Sequence, residues 1–142
     1  MMRNQRTLER MRKIYYPTGE EENLDWMGYP ITEENHPSYH HIVKVEELLR
    51  MRRCINPCVP NGAYLGKKSH EKLHHIEILD YELYLCWNYL FQLINRMKCY
   101  PLPDVWEMVK SLQKKTEELL QKSEEELHQM KKTNIKKKRE YE

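Results

Sequence analysis

Residues 61–75 read Asn-Gly-Ala-Tyr-Leu-Gly-Lys-Lys-Ser-His-Glu-Lys-Leu-His-His, and the change of pattern inside this stretch decides the fold. Pro60-Asn61-Gly62 is turn chemistry. Ala63-Tyr64-Leu65 then forms a short strand that Gly66 ends. From Lys68 or Ser69 no Gly or Pro occurs until Pro101, so a long helical region follows. His70 and His74 are four apart in it. That spacing stacks both imidazoles on one helix face, where they can reach one metal ion at ~2.0–2.1 Å. His75 points about 100° away and should not share that ion.

Upstream, Tyr39-His-His-Ile-Val-Lys-Val45 is β-branched and aromatic and reads as a strand. Neighbouring strand residues face opposite sides. If His40 faces the helix and joins the metal, His41 faces elsewhere, and one adjacent pair supplies a ligand and a free base. Three His ligands would leave a position open for water or a phosphate oxygen. Six of the seven His fall between residues 36 and 75.

Further out, residues 46–53 read as a short helical turn, and Asn56-Pro57 marks another turn. Residues 1–16 have helical character ended by Pro17-Thr18-Gly19. Residues 17–38 read as irregular chain that Trp26, Tyr29 and Ile31 could pin to the body. Asp80 favours a helix restart over a helix interior. Leu83, Trp87, Leu90, Phe91 and Ile94 then make an apolar stripe of ordinary core type. Pro101-Leu-Pro103 breaks the chain. A further helix runs from Asp104 toward 130, with Val105, Met108, Val109, Leu112, Leu119 and Leu120 on its apolar side.

The chain has 142 residues, 39% hydrophobic and 32% charged, which fits one domain with a modest core. Ten Tyr and three Trp against one Phe favour half-buried surfaces over a dry core. The net charge of +2 excludes a globally basic nucleic-acid binder, so such contact must come from local patches. Charge is segregated: residues 3–13 and 131–139 are basic, and 20–25 acidic. No signal peptide and no membrane-length apolar run is read, so a soluble cytoplasmic protein is expected, with Cys54, Cys58, Cys86 and Cys99 as reduced thiols. Cys54 and Cys58 lack a second closely spaced pair to complete a zinc knuckle.

The series His40-His41-Ile42-Val43, Asn61-x3-Leu65, His70-x3-His74 resembles the HNH (His-Asn-His, ββα-metal) endonucleases, both the colicin type and the short proteins of phages and mobile elements. The resemblance covers residues 39–75. It implies a ββα-metal motif, set over 39–78; around it the sequence reads as a partly irregular N-terminal extension over 1–38, a helical hairpin over 79–130 packing on the motif, and a basic, disordered tail over 131–142, which makes an α+β, mostly α fold. It implies hydrolysis of DNA phosphodiesters with one divalent ion (zinc, magnesium, manganese or nickel). His40, His70 and His74 would be ligands and His41 the general base, with Asn61 hydrogen-bonding across the loop to keep His41 oriented. The sequence departs from the family in one place: nineteen residues lie between His41 and Asn61, longer than usual, which puts the strand pairing in question.

Arg50, Arg52, Arg53, Lys67, Lys68 and Lys72 are candidate phosphate contacts, and the helix start near Lys68 would favour an anion. Two other readings compete. One is a non-catalytic zinc-stabilised module binding nucleic acid or protein, with His36 or Cys58 closing a four-ligand site. The other is a metal-free interaction protein whose helices at 80–98 and 104–120 form a homodimer face. Metal analysis separates them.

Overall fold

A computed structural model describes residues 3–16, 23–100 and 102–140. Pro17, Gly19 and Pro101, read as breaks, lie outside them. The elements are α1 (Arg3–Tyr15), β1 (Pro37–His41), α2 (Val45–Arg50), a 3-10 turn (Val59–Asn61), β2 (Gly62–Gly66), α3 (Lys67–Leu79), α4 (Tyr81–Met97) and α5 (Pro103–Glu140). The fold is mostly helical, with one two-stranded antiparallel sheet. Among the described residues no helix is long and apolar enough to cross a membrane.

The long connection does not disturb the strand pairing. β1 and β2 pair in register, His40 opposite Ala63 and His41 opposite Gly62. The intervening chain is taken up by α2 and the 3-10 turn, and it is tied back to β1. The Tyr39 hydroxyl donates to the Cys58 carbonyl at 2.8 Å and accepts from the Cys58 N–H at 3.1 Å.

Strand β2 is buried along its length because α3, α4 and α1 all pack on the sheet. α1 is therefore part of the body: Leu8, Met11, Tyr15 and Tyr16 join the core. So does the irregular segment after it. Trp26 is fully buried, and the Asp25 carboxylate accepts from the N–H groups of Met27, Tyr29 and Gly66. Burial pushes the Asp25 carboxyl above its ordinary value, and these hydrogen bonds oppose the shift.

The aromatic residues depart from the half-buried expectation. Tyr15, Tyr84, Tyr100, Trp26 and Trp87 are among the most buried side chains. A phenol enters a dry core when its O–H finds a carbonyl. Tyr15 donates to the Asn95 carbonyl at 2.6 Å and Tyr100 to the Asp25 carbonyl at 2.8 Å.

Asp80 does restart the helix, its carboxylate accepting from the Leu83 N–H at 3.2 Å. The start of α3 is capped from a distance: Asn35 Oδ1 accepts from the N–H groups of Lys68 and Ser69. Those amides are thus already engaged, and the anion site expected there is filled by a side chain. α5 continues as helix through 131–140, where a disordered tail was expected. Met108, read on the apolar side of this helix, is exposed.

Gly62 is required by the close approach of Tyr39. A Cβ at 62 would stand 2.5 Å from the Tyr39 ring and 3.1 Å from the Cys58 carbonyl oxygen. Gly62→Ala should cost about 1–3 kcal/mol of stability by this overpacking, read from urea unfolding. An unchanged midpoint would show that the ring has room to move.

Candidate metal centre

His40, next to last on β1, is 3% exposed and points into the body between α3 and α4. His70 and His74 lie on the facing side of α3. His70 is half-buried and His74 exposed, so the three form a depth series opening outward. Ring centres are 5.3 Å apart for His40–His70, 6.3 Å for His40–His74 and 4.6 Å for His70–His74. Imidazoles sharing one ion through nitrogens at ~2.0–2.1 Å have centres roughly 4.5–6.5 Å apart. The spacing fits.

Each of the two inner rings has one nitrogen engaged and one remaining. His40 Nε2 donates to Asn88 Oδ1 at 2.8 Å, which leaves the lone pair on Nδ1. His70 Nδ1 is 2.9 Å from the Ser38 hydroxyl, which leaves Nε2. Asn88 and Ser38 hold these rings in the way that orienting partners hold a metal-ligating histidine, and sequence reading missed both. A signal existed for Asn88: it is a polar residue set among the apolar positions Trp87 and Phe91.

Burial holds His40 down to about 3 and His70 to about 4, and neighbouring imidazoles add to both shifts. Both rings are neutral at pH 7, the state in which imidazole binds metal. Among the described residues no three or more His, Cys, Asp or Glu side chains stand as a ready-made metal-holding group. Three imidazole nitrogens as donors would suit a borderline divalent ion such as zinc or nickel better than magnesium.

His41 lies one residue on and faces the other way, as strand alternation predicts. Its ring meets Tyr39 edge-to-face at 4.8 Å. Its Nε2 donates to the Ile55 carbonyl at 3.1 Å. A carbonyl only accepts, so the neutral ring keeps its lone pair on Nδ1. The long connection thus supplies the atom that fixes the tautomer of His41. All four histidines border one cavity of about 380 Å³.

Asn61 does hydrogen-bond across the loop. Its Oδ1 accepts from the Val43 N–H at 2.8 Å and its Nδ2 donates to the Val43 carbonyl at 3.1 Å. It grips the backbone two residues beyond His41, and neither bond is to the His41 ring.

The six cations named from sequence lie elsewhere. Lys68 pairs with Glu34, Lys72 with Glu117 and Arg50 with Glu47. Arg53 borders a second cavity of about 640 Å³ with Asn61 and Arg96. Arg52 and Lys67 border neither cavity. The lysine lining the histidine cavity is Lys44, paired with Glu77 and set over the rings of Tyr84 at 5.3 Å and Tyr81 at 5.7 Å. Neither His36 nor Cys58 lines that cavity. A scan of protein-family models, a search of curated proteins and a search of solved structures each return no match to this chain.

The lowered values of His40 and His70 fix a sign for the metal-free protein. The unfolded chain takes up these protons near pH 6.5 and the folded chain only near 3–4, so stability is full above 6.5 and falls as pH drops below it. The buried His40 should contribute a slope of up to about 1.4 kcal/mol per pH unit. Urea unfolding at pH 7.5, 6.0 and 5.0 checks this. A flat profile over that interval would contradict the burial argument.

Proposed function

We propose that the chain is a divalent-metal-dependent endonuclease that hydrolyses DNA phosphodiesters, acting in the cytoplasm. The observation that carries the reading is the division of labour within the adjacent pair on β1. His40 is drawn inward to His70 and His74, while His41 keeps a free Nδ1 at the rim of the same cavity. DNA as substrate follows from the resemblance to HNH endonucleases.

His40, His70 and His74 would hold the ion, which when bound supplies Lewis-acid stabilisation of charge on the scissile phosphate. His41 Nδ1 takes the proton of the attacking water, and the Ile55 carbonyl, accepting from Nε2–H, orients the ring and places the lone pair of its neutral form on Nδ1. Asn61 holds the strand exit against the turn before β2, which limits the drift of His41. Lys44 offers a cation at the cavity wall, where a phosphate could displace Glu77 from it.

The test is cleavage of supercoiled plasmid with each of zinc, nickel, manganese and magnesium, against a chelator control. His41→Ala should lower nicking by about 100-fold or more with metal affinity unchanged, as removal of a general base does. Retained activity would remove His41 from the mechanism. His74→Ala should weaken metal binding by calorimetry by about tenfold or more, and an unaltered affinity would strike it from the ligand set.

A further inference from the structure

The side of α4 turned away from the core is apolar where a solvent-facing helix is ordinarily polar. Tyr84, Trp87, Phe91 and Ile94 are buried on one side, while Tyr81, Leu85 and Tyr89 stand on the other, Tyr89 61% exposed. A groove of about 590 Å³ runs beside Leu85 and Tyr89, closed on its far wall by Met108 and Leu112 of α5.

This face has an internal symmetry. Counting outward from Tyr89, Leu85 and Leu93 lie four residues to either side, Glu82 and Arg96 seven, and Tyr81 and Met97 eight. Leu93 is partly buried and the others are exposed. Glu82 and Arg96 lie about 10.5 Å from Tyr89 along the axis and about 20° to either side of its direction. Among the described residues neither is in an ion pair.

A closed two-fold interface must be complementary to itself. Two copies of α4 laid antiparallel about an axis at Tyr89 satisfy that condition. Glu82 of each copy meets Arg96 of the other, Leu85 meets Leu93, and Tyr81 meets Met97. A parallel pairing would instead set Glu82 against Glu82 and Arg96 against Arg96. The charges therefore select both the occupant and its direction.

We propose that the chain forms a two-fold homodimer through antiparallel α4 helices centred on Tyr89, with two reciprocal Glu82–Arg96 pairs. The proposal stands independently of the nuclease reading, since no residue it uses is a proposed ligand or base.

Sedimentation velocity of the full chain from about 1 to about 100 µM tests it, because association follows mass action. The wild type should be a dimer. Glu82→Arg and Arg96→Glu should each raise the dimer Kd about tenfold or more by opposing like charges, and the double reversal should restore association. In a background with Cys54, Cys58 and Cys86 each replaced by Ser, Tyr89→Cys should cross-link into a disulfide dimer on mild oxidation, because position 89 sits on the axis. All these positions are exposed, so circular dichroism should show every variant folded. A monomer throughout the range overturns the proposal. So does a dimer that ignores both reversals and fails to cross-link at 89.

Discussion

A buried imidazole has to keep a hydrogen-bond partner, and the His40–Asn88 bond is the constraint on which the rest of this molecule turns. It joins the penultimate residue of β1 to the middle of α4, with both side chains buried. The second asparagine of α4, Asn95, stands seven residues on and repeats the device. Its amide donates to the Val59 and Gly62 carbonyls at 2.7 and 2.8 Å. Two polar residues on one helix face thus fix the strand pair and the turn before it. The same bond sets the chemistry: with Nε2 spoken for, His40 has only Nδ1 to offer, and burial keeps it neutral.

What was legible in the sequence was what depends on local period. The i, i+4 spacing placed His70 and His74 on one face of α3, and strand alternation parted His40 from His41. Asp80 announced the restart of α4 because its carboxylate acts three residues away. The two strands, the mostly helical fold and the core stripe of α4 follow from the same rules, while the pairing of the strands across the long connection did not.

What was not legible depends on groups distant in sequence. Asn35 caps α3 from 33 residues upstream, a partnership that no spacing rule contains. The Ile55 carbonyl that holds His41 is a backbone atom and has no residue signature. α1 looked like an extension because its amphipathic face is short, yet the sheet needed a cover and α1 provides it. The phosphate candidates were chosen by charge density, whereas the lysine lining the cavity, Lys44, is a lone cation in an apolar strand sequence.

The connection between His41 and Asn61 is where the resemblance is most irregular, and it is also where the site is most tightly tied. Cys58 is held by Tyr39, Ile55 holds His41, and Asn61 holds Val43. A free insertion would add loop entropy and loosen whatever it flanks. These bonds return the second half of the connection, at residues 55, 58 and 61, to β1 and the residues just after it, so much of that entropy is spent in building the wall beside His41. On this account the extra length is a component of the site: shortening it to a tight turn would remove the carbonyl that gives His41 its tautomer, while leaving His40, His70 and His74 as they are.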